Sequence, residues 1–219
     1  MNQKKRDVMR NIVILFICLT SACLAGGENP GQSETARAGW ESMFDGKTLK
    51  GWEMTPFGGE GPVTVKDGAI HLSYGVMLTG ITWKGDFPKV DYEIELEASR
   101  VQGSDFFLGL TFPVKESFCS LILGGWGGAV VGLSSIDGFD ASENETTLIR
   151  GFKRGQWYKV LVRVIENKIQ VSLDGEQIIN LDTTDKEIST RPEVLLSRPV
   201  GIASFQTWSA IRNIWYREL

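Results

Sequence analysis

The strongest constraint on this chain is the absence of helical periodicity. From Trp40 to Leu219, no window of about 12 residues places its apolar side chains at the period of an amphipathic helix. Short runs of β-branched and aromatic residues instead alternate with Gly, Asp and Asn, which are the residues that end strands. This pattern predicts an all-β domain.

Several strands can be placed directly. Three runs between Val160 and Leu181 are separated by turns at Asn167-Lys168 and Asp174-Gly175, and Asp67-Gly68 marks another hairpin. Tyr92–Ala98 alternates between apolar and acidic residues, so one side of this strand is expected to face a core. Further strands are predicted over 106–112, 118–123, 129–133, 200–205 and 211–216. About a dozen strands exceed one sheet, which favours a jelly-roll sandwich of two stacked antiparallel sheets.

Residues 1–22 have the three-part layout of an export signal. Basic residues precede an apolar run at 12–19 that is too short to span a bilayer, and small residues follow. The sequence Thr20-Ser21-Ala22-Cys23 resembles a bacterial lipobox, in which Cys23 becomes the lipidated first residue of the mature chain. Cleavage near Ala22 or Ala25 without lipidation is the alternative.

The sequence thus predicts an exported protein, either a periplasmic or cell-envelope lipoprotein or a secreted one. Its only expected contact with a membrane is a lipid anchor at Cys23. Residues 23–39 are rich in Gly, Ser and other small residues and are expected to form a flexible tether to a domain at 40–219.

Charge and cysteine usage exclude several other classes. The chain has 23 basic and 27 acidic residues, a net charge of −4, where a nucleic-acid-binding protein would normally carry a basic face. Cys119 is the only cysteine inside the predicted domain, so no disulfide is available, and its apolar neighbours favour a buried core residue over a nucleophile. No phosphate loop, zinc-ligand spacing or Ser-His-Asp order occurs, so neither a cofactor nor a metal is predicted.

The two ends of the domain resemble a known family. Residues 40–52, which begin Trp40-Glu41-Ser42-Met43-Phe44-Asp45-Gly46, are similar to the opening signature of the 3-keto-disaccharide hydrolase family, and residues 212–219 are similar to its closing strand. The segments at 65–70, 155–158 and 173–175 resemble internal landmarks of the family in the same order. The resemblance covers residues 40–219 and implies a concanavalin A-like lectin and glucanase sandwich with a carbohydrate as substrate or ligand.

The family name implies elimination chemistry. A ketone at C3 of a glycosyl unit acidifies the hydrogen at C2, so a base can remove that proton and the glycosidic oxygen at C1 can leave before water adds. The chain departs from the family pattern in two segments. Many members have Asn-Ser-Gly-Ile where this chain has residues 103–107, and many have His-Gly soon after a Gln where this chain has Gln206-Thr207-Trp208. The segment 124–146 also differs, which indicates a divergent subgroup.

Glu95 and Glu97 are the first candidates for catalysis. Together with Glu93 they lie on one side of a predicted strand, with neighbours about 7 Å apart, and paired carboxylates about 5 to 9 Å apart serve glycosidases as acid and base or nucleophile. Glu97 is also the position that matches the family's strand. An ordinary solvated strand face is the alternative. His71, the only histidine, is a candidate acid or base near neutral pH, or a structural residue.

The candidates for substrate binding lie in loops and landmark segments. Trp126 stands among four glycines, so its indole is expected either to be exposed for stacking on a sugar or to fold inward. The acidic loop at 137–145 is a candidate binding rim or a solvated loop, and its carboxylates are also oxygen ligands of the kind that bind Ca²⁺, although their spacing is not that of an EF-hand. The individual candidates are Trp126, Asp137, Asp140, Arg150, Gln206 and Trp208.

Three functions are consistent with these features. The first is an exported hydrolase of glycosidic bonds that acts on 3-keto-disaccharides or related glycosides, with Glu97 as acid or base and the acidic and Trp126 loops lining its cleft. The second is a carbohydrate-recognition domain without catalysis on the same sandwich. The third is an envelope scaffold tethered through Cys23, which would have a flat, fully packed sheet and no ligand.

Overall fold

A computed structural model describes residues 37–219, so the predicted export signal, Cys23 and most of the predicted tether lie outside the described residues. The described chain consists of strands and one short 3₁₀ turn at Pro192–Ser197. The strands are β1 (Glu41–Ser42), β2 (Trp52–Met54), β3 (Val63–Lys66), β4 (Ala69–Leu72), β5 (Leu78–Trp83), β6 (Tyr92–Gly103), β7 (Leu108–Val114), β8 (Ser117–Gly125), β9 (Val130–Ser134), β10 (Leu148–Ile149), β11 (Trp157–Ile165), β12 (Lys168–Leu173), β13 (Glu176–Asp182), β14 (Gly201–Phe205) and β15 (Thr207–Glu218).

The strands form two antiparallel sheets, which confirms the predicted jelly-roll sandwich. An eight-stranded sheet has the order β13-β12-β11-β6-β15-β4-β3, with β1 paired to β15. A seven-stranded sheet has the order β10-β9-β8-β7-β14-β5-β2. No helix within residues 37–219 is long and apolar enough to cross a membrane.

The two last strands occupy interior positions in both sheets. β14 lies between β7 and β5 in the seven-stranded sheet, and β15 lies between β6 and β4 in the eight-stranded sheet. The early strands β2–β5 therefore join the rest of each sheet through strands that come more than a hundred residues later in the chain.

The core lies between the sheets and follows from alternation along the strands. In β6, Tyr92, Ile94 and Leu96 point inward and are fully buried or nearly so, while the glutamates between them point outward. Cys119 points into the same core at 0% exposure, which confirms its predicted place. Burial raises the pKa of its thiol to about 12, so it carries no nucleophilic thiolate near neutral pH.

All three predicted hairpins are present, and two of them turn at the predicted residues. The turn between β11 and β12 lies at Glu166-Asn167, one residue earlier than predicted, because Lys168 already pairs with Ile165. Asp67 and Gly68 have φ of 52° and 74°, and Asp174 and Gly175 have φ of 51° and 84°, the positive values that tight two-residue hairpin turns need. β5 had not been predicted, because its sequence, Leu-Thr-Gly-Ile-Thr-Trp, contains a glycine and no apolar alternation.

Candidate functional site

The outer face of the seven-stranded sheet is covered rather than open to solvent. Every residue of β7 and β9 is buried, so the side that faces away from the core is packed too. Loops cause this burial. The main chain of Ala141 lies over Gly132 of β9, and that of Ser197 lies over Gly201 of β14. Between these covers the face remains open as a groove.

The pairing of the strands arranges the floor of this groove in three rows. Ser134, Ser120 and Thr111 are paired neighbours across β9, β8 and β7 and form a row of hydroxyl groups. Two residues further along each strand, the side chains are mostly absent or small, at Gly132, Gly109, Ala203 and Gly80. Beyond them comes an apolar row of Phe106, Phe205 and Leu78. The floor thus changes from polar to apolar along the strands, over about 13 Å for four residues.

A cavity of about 330 Å³ lies on this floor. This volume is within the range of sites that hold small molecules. Its lining is formed by Met77, Leu78, Asp105, Phe106, Ser120, Ile122, Trp126, Ser134, Arg191, Glu193, Val194 and Phe205. Most of these side chains are apolar or aromatic, and the polar ones are concentrated at the end with the hydroxyl row.

The polar end is built around Arg191. Its guanidinium contacts Asp140 on one side and donates two hydrogen bonds to Glu193 on the other, at 3.3 and 3.0 Å. The bond to Glu193 and the charge of Asp140 raise the pKa of Arg191, and the bond from Arg191 lowers the pKa of Glu193. Ser134 donates to Asp140 at 3.3 Å. The result is a cation held between two carboxylates beside the hydroxyl row.

Trp126 and Asp105 stand together at the other end of the cavity. Trp126 lies in the turn between β8 and β9 and is 46% exposed. Of the two orientations considered from the sequence, the indole therefore has the exposed one and not the inward one. Asp105 precedes β7, and its carboxylate accepts bonds from the main-chain N–H groups of Phe106 at 2.7 Å and Gly127 at 3.4 Å. Within residues 37–219, no arginine or lysine is within salt-bridge distance of Asp105.

A buried arginine supports this end from inside the sandwich. Arg100 donates to the carbonyl groups of Gly124 at 3.1 Å and Gly128 at 3.0 Å, so it holds both sides of the turn that carries Trp126. Burial lowers the pKa of Arg100, and the negative charge of Asp105 acts in the opposite direction.

The predicted carboxylate strand lies on the opposite side of the molecule. Glu93, Glu95 and Glu97 do share one side of β6, but this is the outer face of the eight-stranded sheet. Glu97 accepts bonds from Arg212 at 2.8 Å and Asn213 at 2.9 Å, and Lys159 lies 2.9 Å from Glu95. The expectation that Glu97 shares a cleft with the Trp126 and acidic loops is therefore wrong, because two packed sheets separate them.

Two further predicted residues lie on that same outer face. The indole N–H of Trp208 donates to Nδ1 of His71 at 3.2 Å, and the two rings are 6.0 Å apart. Neither lines the cavity. His71 pairs with Ala210 of β15, and Glu97 pairs with Arg212, two residues further along the same strand. All the predicted catalytic residues therefore lie on the eight-stranded sheet, away from the groove.

The remaining predicted residues divide between the groove and its supports. Asp140 contacts Arg191 at the polar end. Gln206 lies at the apolar end, where its amide donates to the carbonyl of Val76 at 3.0 Å. Asp137 instead joins Lys186 at 3.1 Å, and Arg150 joins Glu176 at 3.0 Å, and neither lines the cavity. Within the described residues, no three His, Cys, Asp or Glu side chains are grouped to hold a metal ion.

The two segments in which the chain departs from its family pattern meet at the cavity. The main-chain N–H of Phe205 donates to the carbonyl of Phe106 at 3.1 Å, and that of Asp105 donates to the Thr207 hydroxyl at 3.1 Å. Asp105, Phe106 and Phe205 were not selected from the sequence, nor were Arg191 and Glu193. For Asp105 and Phe106 a signal was present in the sequence, since both lie in a segment that departs from the family pattern, whereas Arg191 and Glu193 lie outside the divergent segments and carried no such signal.

Three solved structures with the same fold are described as a glycosyl hydrolase, a carbohydrate-binding module and a transglycosylase. A candidate glycosyl hydrolase from Parabacteroides distasonis is 16% identical, with a TM-score of 0.55 over 83% of this chain and 94% of that one. Carbohydrate-binding module CBM66 from Bacillus subtilis is 10% identical, with a TM-score of 0.50 over 77% and 96%. The Crh5 transglycosylase, also solved with NAG, is 13% identical, with a TM-score of 0.55 over 82% of each chain.

At these identities the three structures establish the fold alone, and no curated protein sequence matches this chain. The family comes from the sequence itself, because residues 39–219 match the model of a carbohydrate-active family. The chain therefore belongs to the 3-keto-alpha-glucoside-1,2-lyase-like domain family.

Proposed function

We propose that this protein cleaves the glycosidic bond of 3-keto-glycosides by elimination in the groove of the seven-stranded sheet. The observation that carries the proposal is the placement of Asp105, a carboxylate without a salt-bridge partner among the described residues, beside an exposed indole and across the cavity from a fixed cation. The keto sugar occupies the polar end, with the C3 oxygen toward Arg191 and the glycosidic oxygen toward Asp105.

Each step uses a group at the cavity. Asp105 removes the proton at C2, and an N–H group of the Arg191 guanidinium donates a hydrogen bond to the enolate oxygen that forms at C3. The electron pair then forms the C1–C2 double bond as the C1–O bond breaks. The departing oxygen receives the proton from Asp105, directly or through a water, and addition of water to the unsaturated sugar completes hydrolysis.

The test compares 3-keto and unoxidised forms of one disaccharide. Monosaccharide release is expected from the keto form alone. Asp105→Asn is expected to lower kcat/KM at least 100-fold, as loss of a proton-transfer group usually does. Glu97→Gln, on the opposite sheet, is the matched control and is expected to stay within about threefold of the unaltered protein, since it touches nothing in the groove.

Exchange of the C2 hydrogen gives a second reading of the same step. In D₂O, the unaltered protein is expected to introduce deuterium at C2 of the keto sugar, and Asp105→Asn is expected not to. Loss of release and exchange in Glu97→Gln, with both retained in Asp105→Asn, would move the active site to the eight-stranded sheet. Circular dichroism and the urea midpoint of each variant show that the comparison is between folded proteins.

A second function, sugar recognition without cleavage, is favoured by the partners of the polar lining groups. Arg191 is occupied by Asp140 and Glu193, and the hydroxyls of Ser120 and Thr111 lie 2.9 Å apart. Groups satisfied in this way suit binding as well as catalysis. This function would be established if the protein showed no release and no exchange but bound the sugar with an affinity that Trp126→Ala weakens. The cavity argues against the third candidate, a scaffold with a flat and fully packed sheet.

We also propose that the protein acts outside the cytoplasm. The support is the layout of residues 1–22 and the lipobox-like sequence that ends at Cys23. Metabolic labelling with an alkyne fatty acid is expected to modify the unaltered chain and not Cys23→Ala. A labelled Cys23→Ala chain, or an unaltered chain recovered unprocessed from the cytoplasm, would contradict this proposal.

A further inference from the structure

The apolar end of the groove points to a substrate class that the family match does not specify. Resting on the proposed function, we propose that the leaving group is an apolar aglycone, an alkyl or aryl group, rather than a second sugar. The inference concerns the part of the cavity beyond Asp105, where the departing half of the substrate would lie.

The side chains at this end offer contact area and few hydrogen bonds. Phe106 and Phe205 are stacked with ring centres 5.9 Å apart, and Leu78 and Met77 continue the surface. The side-chain amide of Gln206, which follows Phe205 in the chain, already donates to the carbonyl of Val76. A second sugar would place hydroxyl groups here without partners, which costs free energy, whereas an apolar group would replace water on an apolar surface.

The apolar surface continues to the rim. Met77 is 48% exposed although it lines the cavity, and its neighbour Val76 is 73% exposed. Large exposed apolar side chains grouped around one concavity are characteristic of a ligand site. The polar end fits the sugar half of such a glycoside, so the two ends together match an amphiphilic substrate.

The experiment compares the methyl and octyl glycosides of 3-keto-glucose, used below the concentration at which the octyl compound forms micelles. Both leaving groups are primary alkoxides, so their chemistry is matched and they differ in apolar area. We expect kcat/KM to be at least tenfold higher for the octyl glycoside, which corresponds to the burial of about two methylene groups at ~0.8 kcal/mol each.

Two methionines of equal exposure provide the variants. Met77→Gln is expected to reduce the octyl-to-methyl ratio several-fold, because it removes apolar contact area from the end of the cavity that holds the leaving group. Met54, on β2, is also 48% exposed and does not line the cavity, so Met54→Gln is expected to leave the ratio unchanged. A ratio near one in the unaltered protein, or a 3-keto-disaccharide cleaved faster than the octyl glycoside, would overturn the inference while leaving the proposed function in place.

Absence of cleavage with either compound would refute the proposed function instead. Binding then tests the apolar end by itself, with unoxidised methyl and octyl glucoside as probes and calorimetry as the measurement. At least tenfold tighter binding of octyl glucoside, lost in Met77→Gln, supports an apolar ligand half. Equal affinities for the two probes would overturn the inference in this case too.

Discussion

Replacement of Trp126 by alanine tests whether ligand binds in the groove of the seven-stranded sheet. Trp126 is 46% exposed, which for a residue of about 250 Å² leaves about 115 Å² open to a ligand. A ligand that covers half of this area removes about 57 Å² of it from water. At ~25 cal/mol per Å², the contact contributes about 1.4 kcal/mol, or a tenfold change in Kd.

The assay is calorimetric titration of octyl glucoside into the folded protein, with the urea unfolding curve measured in parallel. Trp126→Ala is expected to raise Kd about tenfold. It is expected to change the free energy of unfolding by less than about 1 kcal/mol, because the indole makes only part of its contacts with the protein. The φ of 47° at this position remains unfavourable for alanine, so the substitution does not relieve backbone strain.

The matched control is Trp208→Ala on the opposite sheet. Trp208 donates to His71, so its loss is expected to reduce the free energy of unfolding by about 1 to 2 kcal/mol and to leave Kd unchanged. The opposite result, with Kd raised in Trp208→Ala and unchanged in Trp126→Ala, would refute the assignment of the groove and return the ligand to the face that carries the glutamates.

Three other predictions concern stability and reactivity. Glu93→Ala is expected to lower the urea-derived free energy of unfolding by about 2 kcal/mol, which is less than for a fully buried ion pair because the side chains of its partners Arg217 and Arg163 are 36% and 45% exposed. Glu116, whose side chain is 86% exposed, is the control, and Glu116→Ala should change that free energy by under about 0.5 kcal/mol. Equal effects of the two substitutions would contradict this prediction. Hydrogen bonds from Thr48 lower the pKa of Asp45 from 3.8 to about 2, so the contribution of Asp45 to stability is complete above pH 3.8 and is lost as the pH falls toward 2. Asp45→Asn should therefore reduce the dependence of the unfolding free energy on pH between these values. An unchanged slope in that window would refute the linkage. Cys119 should resist thiol reagents in the native protein at pH 8 and react in urea, as peptide mass spectrometry would show, and native labelling would contradict its burial.

Local patterns were sufficient to predict much of the fold. The acidic alternation in Tyr92–Ala98 identified β6 and the side that faces the core, and Asp174-Gly175 identified the turn between β12 and β13. Both signals depend on neighbouring residues and elementary backbone geometry. They show which side of a strand is buried in the core.

The site could not be predicted in the same way, because alternation does not show what covers the outer side of a sheet. The outward-facing glutamates of β6 drew attention to the eight-stranded sheet, where salt bridges to arginines and lysines account for them. The groove is floored by Gly109 and Ala203, which carry no chemical signal in a sequence. Arg191 reaches Asp140 from 51 residues away, a contact that only the tertiary fold creates.

The interior position of the last two strands has a consequence for how the molecule is made. The hairpins β2–β5 leave the ribosome roughly 120 residues before β15, which at ~5–20 residues per second is a delay of roughly 6 to 25 s. Until then neither sheet can close, and the unpaired edges of β5 and β7 remain exposed to other chains. Neither sheet of the nascent chain is complete until β14 and β15 have been made, and loss of β15 would leave the eight-stranded sheet divided along its middle.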